Sequence, residues 1–466
     1  MDIRVRFAPS PTGWISFGNA RTALYNWLFA RHMGGKFLVR IEDTDKERSK
    51  QEYEVDLLEN LKWLGLNWDE EIVRQSERIP AYREQLEKLL HNHQAYWCFC
   101  TEEKLEAERE SQLAAGQPQV YSGTCRGISE KDVAERIKNG ERAVIRFKTP
   151  EAKHVFEDLV RGKVEFDSAQ FGDTVIAKSL NEPLYNFAVV IDDEYQKITH
   201  VIRGEDHLSN TPKQMAIAEA LGFKVPRYAH LPLMLGPDKK KLSKRYLAAG
   251  LKEYRAQGYV PEAIINFLVL LGWHPVEDRE VLTSSELIKE FSLERTQKAG
   301  AIFNPEKLDW FNTHYLRSMS ADEFIKISKD FWPAHWTENI LRKAMPLVRN
   351  RLKNLSELSE SGDLFFKLPE YEGKLLIWKK ADETSAKNSL DLLIKELENL
   401  SEEKFGMEAK LVIDKLAEQF GRGEVFWPLR VALSGKENSP GPLEILEVLG
   451  KSETLSRLKI GFQKLA

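Results

Sequence analysis

Cysteine is scarce in this 466-residue chain, and positive and negative charges nearly cancel. Cys98, Cys100 and Cys125 are too few and too clustered for a disulfide-stapled scaffold, so a metal site is the better reading of them. A formal charge of −4 excludes coating nucleic acid through bulk positive potential, and any nucleic-acid surface has to be local. No run approaches the roughly 18 uncharged apolar residues that a membrane span needs, and MDIRVRFAP lacks a signal-peptide layout. The expectation is a cytoplasmic chain with no membrane association. Fixed-period repeats and low-complexity tracts are also missing, which excludes solenoids and tandem arrays.

What is present is ample core material, 42% apolar residues with 11 Trp and 23 Phe, in a length that suggests about 3 domains. Residues 3–8, IRVRFA, read as a strand. ARTALYNWLFARHM then has helical spacing and is stopped by Gly34-Gly35, and KFLVRIED is a second strand. Strand, tight loop, helix, strand is a βαβ unit whose first loop lies where doubly wound folds bind ligands. A second such set appears later: KITHVIRGED, then SNTPKQMAIAEALG, capped by Ser209 or Asn210 with Pro212 in its first turn, then RYAHLPLML. Between the sets lie the cysteines, a polar helix EEKLEAERESQLAAG and strand-like RAVIRFKTP and GKVEF. From about residue 250 the pattern is helical. The fold class is therefore α/β plus all-α: a split Rossmann-like domain with an α+β insertion, followed by helical domains. The expected boundaries are 1–97, 98–184, 185–245, 246–320 and 321–466, the last holding two helical subdomains.

Two loops carry chemistry. In 9-PSPTGWISFGN-19, glycines admit close approach of backbone to a ligand, and Asn19 at a helix start would leave outward N–H groups for an anion. The plain alternative is a well-capped βα turn. In 239-KKKLSKRY-246, a dense basic run with a serine can neutralise a polyphosphate, against the alternative of a solvated loop. Helices bearing Trp378-Lys379-Lys380 or Arg349-Asn350-Arg351 read by themselves as amphipathic helices with solvated basic faces.

These loops, together with 40-RIEDTD-45, 75-QSER-78, 185-YNFAVVIDD-193 and 203-RGEDHLSNTP-212, resemble class I aminoacyl-tRNA synthetases, and within them glutamyl-tRNA synthetases of bacterial type. The resemblance runs from Arg6 to 427-WPLRVALSGKENSPGP-442. It implies a glutamate–tRNA ligase that forms glutamyl-adenylate from glutamate and ATP and passes the glutamyl group to tRNA. By the same resemblance Arg6, Ala8, Ser10, Glu42, Tyr185 and Arg203 hold glutamate, with Arg6 suited to a bidentate grip on the γ-carboxylate. Gly18, Asn19, Glu205 and Asp206 border ATP, Lys241, Ser243 and Lys244 form the mobile signature loop, and Lys244 contacts phosphate. Mg²⁺ accompanies ATP. The insertion contacts the tRNA acceptor end, the helical region reads the anticodon, and Arg351 is the candidate base contact. The partners implied are L-glutamate, ATP and tRNA(Glu) and/or tRNA(Gln), with the chain a monomer.

Relatives in this family often carry zinc in the insertion. Cys98, Cys100, Tyr121 and Cys125 match that pattern, while Gly127 stands where a histidine ligand is common, and His91 or His93 is an alternative fourth ligand. Other departures gather near the nucleotide and amino-acid segments. Ser16 replaces the histidine that opens the first signature, Tyr246-Leu247 replaces His-Gly, and Leu184, Val189 and Glu194 are atypical. Two readings follow: an active ligase, with reduced rate or altered tRNA choice, and an impaired paralogue that only binds tRNA or another partner.

Overall fold

The structure, a computed structural model, describes residues 2–240, 250–333, 336–379 and 381–465, which form two compact units. In the first unit, β1 (Arg4–Phe7), α1 (Phe17–His32) and β2 (Lys36–Ile41) make the expected βαβ turn, with β1 and β2 parallel and Arg6 opposite Leu38. A short β3 (Val73–Arg74) pairs in parallel with the end of β2, Arg40 opposite Val73, and α2 (Gln51–Trp63) precedes it in the chain and α3 (Ile79–His91) follows it. β1 and β2 are buried along most of their length, as parallel strands covered on both faces must be.

The intervening stretch supplies β4 (Ala95–Cys98), α4 (Glu102–Ala114), α5 (Glu130–Lys138), β5 (Val144–Phe147), β6 (Lys153–Asp158), β7 (Gly162–Asp167), β8 (Val175–Ser179) and β9 (Glu182–Pro183). β4, β5, β8 and β9 form an antiparallel sheet that shares a core with α3, through Tyr82, Leu86 and Leu89. β6 and β7 form a hairpin whose first strand ends beside the nucleotide-type sheet, where Asp158 pairs with Tyr228.

The second half of the split domain follows as α6 (Tyr185–Tyr195), β10 (His200–Gly204), α7 (Thr211–Leu221) and β11 (Arg227–Leu231). β10 and β11 are parallel with Arg203 opposite His230. The two halves meet where Thr199 N–H donates to the Arg4 carbonyl at 2.9 Å. Two local expectations are corrected. α1 begins before Asn19, because Ser16 is its N-cap and accepts Asn19 N–H at 3.2 Å. α7 starts after Asn210, whose side chain makes no capping bond; a 3₁₀ turn over Glu205–Asn210 leads into it instead, with Pro212 in the first helical turn.

The second unit is helical, with Ala321–Ser328, Glu338–Arg349, Glu383–Glu398, Phe405–Phe420, Arg422–Ser434 and Pro442–Gln463, the last kinked at Gly450. Asn350 caps the Glu338–Arg349 helix, so Arg351 lies just beyond it. Trp378 and Lys379 sit in a turn, not on a helix face, because the Trp378 ring packs against Trp427. Among the described residues no helix is long and apolar enough to cross a membrane.

Candidate functional site

Parallel strands bring their carboxyl ends to one edge, and side chains there are the ones able to meet a ligand. β1 delivers Arg6, β2 leads into Glu42, β10 carries Arg203, and Tyr185 opens α6. Arg6 is 3% exposed and Arg203 5%, so both guanidinium groups need partners inside the protein or from a ligand.

The partners of Arg6 are ionic. Its Nε donates to Asp193 Oδ1 at 3.1 Å and its Nη2 to Oδ2 at 3.4 Å, so one of its two bidentate edges is engaged. Arg40 donates from Nη1 to Asp193 Oδ1 at 2.7 Å and from Nη2 to Glu42 Oε1 at 3.1 Å. Asp192 takes Gln75, Arg78 and Tyr82 as donors. Burial works against ionisation of Asp193, but Arg6 and Arg40 outweigh it and hold the carboxyl below its usual range. Burial raises the Glu42 carboxyl, and Arg40 and Arg6 offset this only in part.

The partners of Arg203 are neutral. Nε donates to His230 Nε2 at 3.2 Å, Nη1 to Gln214 Oε1 at 2.8 Å and Tyr185 Oη at 3.3 Å, and Nη2 to Thr211 Oγ1 at 2.8 Å and the His207 carbonyl at 3.4 Å. Among the described residues no carboxylate lies within ion-pair distance of it. Burial, then Arg203, pull His207 down to about 4, so this imidazole is neutral at ordinary pH. A buried cation surrounded by dipoles is a site for an anion.

The first signature loop is tied down from three directions. Glu42 N–H donates to the Pro9 carbonyl at 2.9 Å, Lys50 N–H to the Pro11 carbonyl at 3.0 Å, and Ile15 N–H to Asp56 Oδ2 at 3.1 Å. Ala8 is half-buried, and Ser10 and Asn19 are exposed. A Cβ on Gly18 would lie 3.7 Å from Ser16 Oγ and 4.0 Å from Met234 Sδ, ordinary contact distances, so the glycine is packed beside both side chains. Glu205 is bound by Arg161 and accepts Leu233 N–H at 2.7 Å, while Asp206 is exposed. Lys241, Ser243 and Lys244, with Tyr246-Leu247, lie outside the described residues.

The three thiols converge, with Cys98, Cys100 and Cys125 Sγ all within 4.8 Å of one another. Tyr121 Oη lies 3.4 Å from Cys98 Sγ and 3.5 Å from Cys100 Sγ, and Cys125 N–H donates to it at 2.9 Å. His91 and His93 do not join this group. They are exposed at and beyond the end of α3, where His93 lies 3.9 Å from Glu130. In the second unit Arg351 lines a cavity of about 280 Å³ with Lys436, Asn438 and Ser439, and donates to the Ser439 carbonyl at 3.2 Å.

Arg40, Asp192 and Asp193 lie inside the motifs and His230 inside the strand-like RYAHLPLML, where nothing local marks their roles, and Asp158 lies outside every such segment. The signal in the sequence is charge where periodicity asks for apolar residues: Arg40 in a buried strand, and Asp192-Asp193 closing an apolar helix.

The family model described as tRNA synthetases class I (E and Q), catalytic domain, matches residues 2–310, and that described as anticodon binding domain matches residues 320–462. The chain is 44% identical over 472 residues to glutamate–tRNA ligase 2 of Thermoanaerobacter pseudethanolicus, covering 98% of this chain and 97% of that one. It is likewise 44% identical over 477 residues to glutamate–tRNA ligase of Aquifex aeolicus, covering 100% and 99%. Among solved structures, a glutamate tRNA ligase from Elizabethkingia meningosepticum, crystallised with its amino acid, superposes with a TM-score of 0.89 at 34% identity over 100% of both chains.

Proposed function

The chain belongs to the class I tRNA synthetases, among their glutamate–tRNA ligases, and from that premise we propose how its own residues serve the reaction. The enzyme joins the α-carboxylate of glutamate to the α-phosphorus of ATP, releasing pyrophosphate, and then transfers the glutamyl group to a terminal ribose hydroxyl of tRNA, releasing AMP. Both steps call for positioning and charge neutralisation more than for a protein nucleophile. Mg²⁺ enters with the nucleotide, held mainly by phosphate oxygens and water.

The observation that carries the residue assignment is Arg203, a buried cation with neutral partners only. Arg203 and the unengaged part of Arg6 bracket the γ-carboxylate of glutamate, Tyr185 closes the pocket, and Glu42 and the loop residues Ala8 and Ser10 meet the amino-acid end. ATP lies over Gly18 and Asn19, where the missing side chain of Gly18 lets a flat base approach the backbone, with Glu205 and Asp206 at its edge. Lys241, Ser243 and Lys244 close on the phosphates. Ser16 offers its hydroxyl proton to phosphate, since its oxygen already accepts Asn19 N–H.

Serine is shorter than the histidine that the family resemblance places here, and an aimed donor of this kind is worth up to about 3 kcal/mol, so the weaker contact from serine makes activation slower than a histidine would. Ser16→His raises the glutamate activation rate; an unchanged or lower rate means that the pocket has adapted around serine. Arg351 contacts an anticodon base from its cavity with Lys436 and Asn438. Residues 1–97 and 185–245 act as the catalytic halves, 98–184 as the acceptor-end insertion, 246–320 as the stem contact and 321–466 as the anticodon region, in a monomer working in the cytoplasm.

The cysteine cluster suits zinc. Tetrahedral zinc with bonds near 2.3 Å holds its sulfurs roughly 3.8 Å apart, and Cys100 and Cys125 Sγ stand at 3.6 Å. Cys98, Cys100 and Cys125 would hold the ion, and Tyr121, whose oxygen accepts Cys125 N–H, would be the fourth ligand. Bound there, zinc would cross-link the insertion and take no part in the chemistry. Metal analysis of protein purified without chelator should give one zinc per chain; far less removes the assignment.

The activity test is aminoacylation of purified tRNA(Glu) and tRNA(Gln) with glutamate and ATP. Product with tRNA(Glu) is expected. Product with tRNA(Gln) alone points to narrowed choice, and no product beside intact tRNA binding contradicts the ligase reading.

A further inference from the structure

We propose that Asp158 and His230 are positioning residues for Arg203: the carboxylate fixes the imidazole tautomer, and the remaining ring nitrogen holds the guanidinium facing the amino-acid substrate. The inference rests on the reading of Arg203 as a substrate contact and extends it to two residues outside the signature motifs.

The geometry is a chain of three across neighbouring strands. Asp158 ends β6 and pairs with Tyr228 of β11, two residues before His230, which in turn stands opposite Arg203 in the β10–β11 register. Asp158 Oδ2 lies 2.6 Å from His230 Nδ1, and His230 Nε2 lies 3.2 Å from Arg203 Nε. Asp158 is 2% exposed and His230 0%. The other Asp158 oxygen accepts three backbone N–H groups, from Val160, Arg161 and His230. A carboxylate so placed only accepts, so Nδ1 carries the ring proton and Nε2 presents its lone pair. That lone pair accepts Arg203 Nε–H, and the Thr211 hydroxyl, 3.0 Å from Nε2 and itself an acceptor for Arg203 Nη2, shares it.

The arrangement keeps negative charge one ring away from Arg203. A carboxylate in direct contact would occupy the guanidinium fork and compete with a substrate carboxylate, as Asp193 does on one edge of Arg6. A neutral imidazole fixes the orientation and leaves the charge unanswered. The logic is that of a carboxylate orienting a histidine in hydrolytic triads, with an arginine in the place of the nucleophile.

The test uses the full chain in steady-state aminoacylation, with the KM for glutamate and for ATP measured separately. In Asp158→Asn the side-chain amide can donate to Nδ1, which turns the ring proton onto Nε2 against Arg203. The KM for glutamate should then rise about 10- to 100-fold, the effect of a buried donor left without its acceptor, while the KM for ATP stays within about twofold. The double variant Asp158→Asn/His230→Gln should recover much of the loss, because a glutamine oxygen can reach the position of Nε2 without a tautomer to fix.

A glutamate KM unchanged in Asp158→Asn but raised in Arg203→Gln overturns the positioning role and leaves the Arg203 assignment standing. A glutamate KM unchanged in Arg203→Gln overturns both. If Asp158→Asn does not fold, His230→Gln against His230→Asn carries the test. Asparagine can mimic Nδ1 but does not reach Arg203, so it alone should raise the glutamate KM, and equal values overturn the proposal.

Discussion

The two sides of the amino-acid pocket are built on opposite principles. Around Arg6 the chain spends charge on charge, with Asp193 shared between Arg6 and Arg40 and Glu42 on Arg40. Around Arg203 it uses a phenol, an amide, a hydroxyl, an imidazole and a carbonyl. Breaking an ion pair inside a protein leaves an unpaired charge and is costly, whereas a cation among dipoles has an electrostatic deficit that a ligand can fill. The Arg6 side therefore contributes mainly to holding the fold, and the Arg203 side to binding.

The largest expected effect separates these roles. Asp193→Ala leaves Arg6 without its carboxylate partner and takes from Arg40 one of its partners, with Glu42 and Asp192 remaining, and should lower the unfolding free energy by about 3–5 kcal/mol in urea titration. A loss under 1 kcal/mol would mean that the network is not structural. Arg203→Gln should do the reverse, changing stability far less while lowering kcat/KM for glutamate about 10²- to 10³-fold, the scale for truncating a buried charge partner. Thr211→Val removes one neutral acceptor, at 2.8 Å from Nη2. It should raise the glutamate KM about tenfold or less, and an effect as large as that of Arg203→Gln would assign Thr211 a direct substrate contact.

The smallest effect is in pH. Burial lowers His207 to about 4 and lowers His230, both beside Arg203. Unfolded, such groups take up protons near pH 6.5. Between 6.5 and about 4 the unfolded chain thus binds more protons, and stability falls as pH is lowered through that window. His200, also brought to about 4 by burial, adds a contribution of the same sign. Asp193 behaves differently, since its carboxyl is depressed. Its contribution holds above the unfolded carboxylate value of ~3.9 and is lost only as pH falls through its lower folded value. Urea unfolding from pH 7 to 4 should show a slope that His207→Gln reduces by up to one proton.

Much of the scaffold was legible because its signals are local. Gly34-Gly35 ends α1, Pro212 falls in the first turn of α7, and short apolar runs mark β1, β2, β10 and β11. The cysteine spacing also survived, with Tyr121 joining the thiols and the two histidines excluded by their exposure on the end of α3. The pocket was less legible. Asp193 meets Arg6 across 187 residues and Arg40 across 153, and Asp158 meets His230 across 72, pairings that depend on which strands become neighbours. Trp378 misled because a tryptophan beside lysines has the same composition on a helix face as in a turn packed against Trp427.

The most direct test of the central claim, that Arg203 is a buried cation kept for the substrate's anion, is the preference for glutamate over glutamine, its neutral isostere, in Arg203→Gln beside the unmodified enzyme. The account expects a strong preference in the enzyme, measured as the ratio of kcat/KM, and its near-complete loss in the variant. A preference retained in Arg203→Gln would contradict it.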